Sequence, residues 1–293
     1  MTTPQNQDVS VDKVGAALNT QRFKMLEDIA RELAGVVVFP TSFDTAFRLR
    51  KQLQNPDLPT ARIASIVSLE PLIATKLMQL ANSVLYSPDG TPARNLQTAV
   101  SRLGVNLVRT TALAIAMSQL LRSKELVPFS GFTHALWQHS IKTAAATRTL
   151  ARERTKINPD EALLAGLVHD LGAFYMLYRA VQYPELRARP DTVKHLILQW
   201  HESIGVTLLK ALGMSDEIAE ATVDHDQQRS APIDLRTLSD IVYYGNLLAG
   251  GHLEWFGRDS ESNTDETQRV SQHFAELLPA IEADTREMQA VFA

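Results

Sequence analysis

The sequence predicts an all-α protein, and three observations carry that prediction. Apolar residues recur at three- and four-residue spacing through most of the chain. Beta-branched runs bounded by turn residues are nearly absent: VVVF (36–39) is the one strand-like patch, Pro40 follows it directly, and no partner strand is evident. Breaks such as Glu70-Pro71, Pro128-Phe129-Ser130-Gly131 and Gly213 fall between periodic segments rather than inside them.

Bulk composition narrows the function classes. The 293 residues are 45% apolar, enough for one large core or two smaller ones. The 29 Lys+Arg against 33 Asp+Glu give a net charge of -4, and the basic residues do not cluster, so no nucleic-acid partner is expected. The start, MTTPQNQDVS, has neither a charged nor an apolar leader region. The longest apolar stretch, TTALAIAM (110–117), is far shorter than the roughly 20 residues of a membrane span, so no membrane partner is expected either. Zero cysteines remove disulfides, thiolate ligands and thiol nucleophiles together, and suit a cytoplasmic location. Any metal must therefore be held by histidines and carboxylates.

Taken in order, residues 12–34 form a first helix with Val14, Leu18, Met25, Ile29 and Leu33 on its apolar stripe. A second covers about 42–54 and ends at NPDLPT. ARIASIVSLE turns Ile63, Ile66 and Val67 inward. Pro71 suits a first helical position, so PLIATKLMQLANS reads as a new helix with Leu72, Thr75, Lys76 and Leu80 at helical spacing. SPDGTPARN is a loop of turn formers, after which Gly104 separates two further helices, NLQTAVSRLG and VNLVRTTALAIAMSQLLRS. Residues 131–153 open a second bundle. Asn158-Pro159-Asp160-Glu161 is a strong helix start: a capping Asn, a first-turn Pro, and acids at the positive end of the dipole. That helix runs to GLVHDLG, where Gly172 is available to cap or bend it. Helices follow at about 192–212, from Ser215 to near His225, at 233–250 and, after the polar loop 258–267, at about 268–291.

Within the second bundle, His139 has Ala135, Thr143 and Ala146 as helical neighbours, and His169 has Ala162 and Ala165. Such narrow faces let helices approach closely. A Zn–N bond of about 2.0–2.1 Å needs that closeness, yet a single histidine on such a face is more often a hydrogen-bonded core residue. His201, His225, Asp170 and Asp240 extend the set to a mixture of imidazoles and hard carboxylates that suits Mn, Fe, Zn or Mg. No local motif such as HExxH ties them together.

The chain resembles the HDOD proteins, the output-domain branch of the HD phosphohydrolase superfamily found in bacterial signalling. EPLIATKLMQLANSVLYS is similar to the family's Asp-Pro-Leu…Asn-Ser segment, with Glu70 where Asp is usual; NLQTAVSRLG, FTHALWQHS, EALLAGLVHDLG and YPE (183–185) follow in family order. The resemblance implies an N-terminal helical bundle packed on an HD-like bundle. The corresponding domain plan is an arm at 1–34, an HDOD domain at 35–256 divided into 35–127 and 128–256, and a loop with a C-terminal amphipathic helix at 257–293. It also implies metal-ligand positions at His139, His169, Asp170 and Asp240, with His201 and His225 as the extra histidines of two-metal HD-GYP relatives. Those relatives carry Lys where this chain has Ala173, paired histidines where it has His225–Asp226, and a Gly-Tyr-Pro element that it lacks.

The expected function is a bacterial signal-transduction module acting through regulatory protein partners, with a degenerate HD metal site; the alternative is a metal-dependent phosphohydrolase acting on a nucleotide or other phosphoester. Asn82 and Ser83 read as a C-terminal cap. Arg94, Arg102 and Arg109 read as a solvated face that could gather an acidic partner or a phosphate, and Trp137, Trp200 and Trp255 as core or bundle-edge packing. The C-terminal amphipathic helix either forms a homodimer or, more economically, covers its own bundle.

Overall fold

A computed structural model describes residues 15–34, 43–53, 55, 57–229, 233–251 and 264–292. Every regular element among them is helical. The VVVF patch, Val14 and Trp255 lie outside the described residues.

Helix α1 (Ala16–Leu33) buries Leu18, Met25 and Ile29. Next come α2 (Asp44–Gln52), α3 (Thr60–Val67) and α4 (Pro71–Ala81), which all pack against α5 (Leu96–Leu121) to make the first bundle. In α3 the inward residues are Ile63, Ile66 and Val67. Pro71 opens α4 where its missing N–H has no partner to lose. The buried face of α4 is Ile73, Leu77 and Leu80, while Leu72 stays 45% exposed; two apolar stripes adjoin on this helix, and the one turned to α5 is buried. Asn95 caps α5 by accepting from the Thr98 N–H at 2.8 Å. Gly104 breaks α5 with φ 74°, a conformation that suits glycine, so the two expected helices meet at a kink without a loop.

Polar residues of this bundle are used internally. Asn82 exchanges two hydrogen bonds with the Ala93 backbone (3.1 and 2.6 Å), pinning the SPDGTPARN loop, and so does more than end a helix. Arg102 donates to the Ala81 and Thr91 carbonyls at 2.6 and 2.9 Å, and Arg109 to the Leu53 carbonyl. These two guanidiniums hold helix and loop ends.

After a 3-10 turn at Lys124–Phe129 the second bundle comprises α6 (Ser130–Arg154), α7 (Pro159–Val168), α8 (Leu171–Ala180), α9 (Pro184–Arg187), α10 (Pro190–Ala211), α11 (Asp216–Ala221) and α12 (Leu238–Leu248). Asn158 caps α7 as its sequence predicts, accepting from Asp160 N–H at 2.8 Å. Helix α12 starts five residues later than expected because Thr237 is its N-cap. Two helices close the chain: α13 (Thr264–His273), which begins inside the expected polar loop, and α14 (Leu278–Phe292).

Helix α14 lies on α6 and reaches α4 and α5, burying Ile281, Met288, Val291 and Phe292. It thus covers its own molecule. Asp284 reaches in from it to the buried Arg148 at 3.1 Å. Helix α1 packs on α8, α9 and α10 of the second bundle. There Glu32 accepts from Tyr175 and Arg179, both at 2.6 Å, and Asp28 accepts from Tyr183 at 2.6 Å. Apolar residues from both bundles form one continuous buried cluster.

Candidate metal centre

Close helix packing builds this site. A Cβ added to Gly166 on α7 would stand 2.3 Å from Thr147 Oγ1 and 2.9 Å from the Thr143 carbonyl, so only glycine lets α7 lie this near α6. Gly245 on α12 presses on the same Thr147 from another side, with an added Cβ 2.5 Å from its methyl. On α8, an added Cβ at Gly172 would come within 1.9 Å of the His201 carbonyl. Gly172 therefore acts as the contact point of α8 with α10; it neither caps nor bends a helix. The consequence is convergence: His139 on α6, His169 and Asp170 in the turn between α7 and α8, His201 on α10, and His225 beyond α11 reach one point.

Asp170 is the hub. Its Oδ2 lies 3.2 Å from His169 Nε2 and 3.9 Å from His139 Nε2, while its Oδ1 lies 3.4 Å from the Nε2 atoms of both His201 and His225. The imidazoles form two pairs, His139–His169 and His201–His225, each with Nε2 atoms 3.2 Å apart. All five side chains are at most 2% exposed.

The proton positions follow from the acceptors. His169, His201 and His225 each place Nδ1 at 2.7–2.8 Å from a backbone carbonyl, of Gly166, Ile197 and Thr222 respectively. A carbonyl only accepts, so each Nδ1 carries a proton, and a ring in its neutral form turns a lone pair inward at Nε2. Two such lone pairs at 3.2 Å repel unless positive charge sits between them. Neither Asp170 oxygen accepts a well-formed hydrogen bond despite complete burial, which is costly for a carboxylate without a cation. Burial alone would raise the Asp170 pKa, but the surrounding imidazoles, His169 foremost, hold it well below the usual range. Burial lowers His169. Burial would lower His225 too, yet Asp226 and Asp170 push it up. A centre of this kind needs positive charge, and its inward lone pairs and unsatisfied carboxylate fit a divalent metal held by nitrogen and oxygen donors.

Asp240 is not part of this group. Its Oδ2 accepts from the Thr237 N–H at 2.8 Å and the Arg236 N–H at 3.1 Å, and its Oδ1 accepts from Arg229 at 3.1 Å. It completes a capping box with Thr237 at the start of α12, and this replaces its assignment as a ligand. Helix α12 contributes Asn246 instead, whose Nδ2 donates to the His225 carbonyl at 3.0 Å and to Asp226 Oδ1 at 2.9 Å. Asp226 brings its other oxygen to 3.5 Å from His201 Nε2. Glu202 stands 3.6 Å from His225 Nδ1 and accepts from the Asp226 N–H. His201, Glu202, His225 and Asp226 form one group with metal-ligand spacing, and His139, His169 and Asp170 form another. Asp224, at φ 55°, turns the chain into His225 in a conformation that aspartate tolerates better than most residues. Ala173 is fully buried.

The fold is an all-α one in which separate helices bring histidines and an aspartate to one buried point. The HDOD domain family matches residues 39–228, and the chain belongs to that family. A candidate metal-dependent phosphohydrolase from Shewanella amazonensis superposes with a TM-score of 0.73 at 23% identity, over 94% of this chain and 100% of that one. A candidate signal-transduction protein from Marinobacter aquaeolei gives 0.55 at 19% identity, over 96% of this chain and 67% of that one. These two likenesses are of fold. An uncharacterized protein of Treponema pallidum is 22% identical over 244 residues, 78% of this chain, and the match spans only 45% of that protein's length.

Proposed function

We propose that this protein is a bacterial signalling module whose HD-type centre binds a divalent metal and whose output is contact with regulatory proteins. The observation that carries the metal reading is the buried Asp170 carboxylate facing four imidazole Nε2 atoms, three of them on rings whose Nδ1 protons are committed to backbone carbonyls. When bound, the metal supplies positive charge and, with an open coordination position, the capacity to activate water. Protein contact is the favoured output because the five donors are almost fully buried and because the fully buried Ala173 supplies no cation for a phosphate. The net charge of -4 favours protein over nucleic-acid partners. No helix among the described residues is long and apolar enough to cross a membrane, and the site of action we propose is the cytoplasm.

The test is metal analysis of protein purified without added metal, with Mn, Fe, Zn and Mg measured. Stoichiometric metal lost in Asp170→Asn and His169→Ala is the expected result; metal-free, fully folded wild-type protein that takes up none of these ions overturns the reading. A second reading, a metal-dependent phosphohydrolase, is favoured by the partly exposed carboxylates of Asp226 and Glu202 (15% and 21%), which bring one edge of the centre to solvent. Turnover of a phosphodiester or phosphomonoester by metal-loaded protein, abolished in Asp170→Asn, would favour it over the first.

A further inference from the structure

Helix α4 carries a second apolar stripe that is left uncovered. Leu72 on it is 45% exposed, and Leu69, just before the helix starts, is 75% exposed. We infer that the groove between α4 and α5 is a docking surface for an acidic amphipathic helix of a regulatory protein. This rests on the protein-contact output proposed above and supplies the face and the kind of partner.

The groove consists of two joined depressions, both lined by Leu72, Ile115 and Gln119. The first extends to Thr45, Ala46 and Glu70, the second to Lys76, Arg122 and the Phe292 end of α14. Its floor is a row on α5, Ala112, Ile115, Ala116 and Gln119, at the i, i+3, i+4, i+7 spacing of a single helix face. Alanine at two of these positions keeps the floor low, so an incoming backbone can approach closely, and Leu72 stands as the apolar wall beside it. From Ala112 to Arg122 the axis of α5 rises about 15 Å, the length of about three helical turns. A groove of that length between two helices fits a third helix laid along them.

Charge selects the occupant. Lys76 and Arg122 line one end together; burial first, and then the nearby Arg122, lower the Lys76 pKa. At the other end Glu70 is answered by Arg48 at 3.2 Å. Three cations against one anion give the rim an excess of positive charge on a chain whose net charge is -4. Its complement is a helix with apolar residues three and four apart and Asp or Glu beside them. A second copy docked face to face would set like charge against like, so the occupant is a different protein.

The experiment places the photo-crosslinker p-benzoylphenylalanine at Gln119, an exposed position shared by both depressions, in the otherwise unmutated full chain. A second protein carries it at Trp200, an exposed apolar side chain on α10 of the other bundle. Each is irradiated in extract of its native cells, and the attached peptide is sequenced by mass spectrometry. The Gln119 position is expected to capture a segment with helical apolar spacing and an excess of Asp and Glu. Leu72→Asp, at an exposed site, should cut that capture at least tenfold while leaving the melting temperature unchanged. Lys76→Ala combined with Arg122→Ala should weaken it about 2–30-fold, the loss expected for two exposed ion pairs, and added salt should do the same. Capture of a second copy of this chain, of a segment lacking that pattern, or capture undiminished in Leu72→Asp overturns the inference. Capture from the Trp200 position alone overturns this face and leaves the protein-contact reading intact. No adduct from either position, together with no protein co-purifying with the full chain, overturns that parent reading as well.

Discussion

Gly172→Ala is the substitution whose outcome the structure fixes most tightly. The added methyl would stand 1.9 Å from the His201 carbonyl oxygen and 2.7 Å from the Gly205 nitrogen, against 3.4 Å where ordinary contact begins. Both obstacles are backbone, so no side chain can rotate away, and α8 and α10 must separate locally by about 1.5 Å. Overpacking of this kind costs about 1–3 kcal/mol, and a rigid obstacle puts it near 3. At about 2 °C per kcal/mol for a chain of this size, the melting temperature should fall by about 6 °C. The same displacement carries His201 away from Asp170, now 3.4 Å off, so bound metal should fall with it. Gly131→Ala is the control: nothing lies within 4 Å of its would-be Cβ, and relief of backbone entropy on α6 should stabilise by about 0.5–1 kcal/mol with metal content unchanged. The assay is a thermal melt with and without chelator, together with metal analysis. Wild-type melting and full metal content in Gly172→Ala would refute the claim that this contact sets the centre.

Other outcomes follow from the polar contacts. Thr237→Ala should cost about 1 kcal/mol through loss of the α12 cap. The neighbouring Asp240 is raised by burial but lowered more by the Thr237 and Arg236 hydrogen bonds and Arg229, so its pKa is depressed on folding; its contribution is present above the unfolded pKa of about 4 and disappears as pH falls through the folded one. Wild type and Asp240→Asn should therefore differ most near neutral pH and converge in acid-melting curves once pH has fallen through the depressed folded pKa, and a loss of metal in this variant would contradict the capping role. Asp284→Ala leaves the buried Arg148 without its ion-pair partner and should cost about 3–5 kcal/mol in denaturant unfolding. Adding Arg148→Met should recover much of that loss, because an apolar side chain does not need the pairing.

What the sequence shows and what it hides divide along a physical line. Local signals are legible: Asn158-Pro159 marks the start of α7, and the α6 span of 131–153 lies within one residue of each observed end. The five residues that converge are visible through family resemblance rather than spacing, since they come from separate helices. Asp240 belongs to the α12 capping box, and Thr237-x-x-Asp240 before an apolar run is itself the sequence signal for it. Asn246 and Glu202 carried no signal of their own; their role exists only where α10, α12 and the turn after α11 meet. Asp226, read as a departure from paired histidines, gains meaning from two oxygens facing different partners. Gly166 and Gly245 are also silent in the sequence, because both are dictated by Thr147, a residue far from either in the chain.

The attachment of α1 has a mechanical consequence. Glu32 grips Tyr175 and Arg179, which lie on the helix that begins one residue after Asp170. Short charge-assisted bonds between two stiff rods transmit displacement rather than absorb it. A tug or twist applied to the amino-terminal rod is therefore delivered, along a path of a few hydrogen bonds, to the turn on which the whole centre pivots.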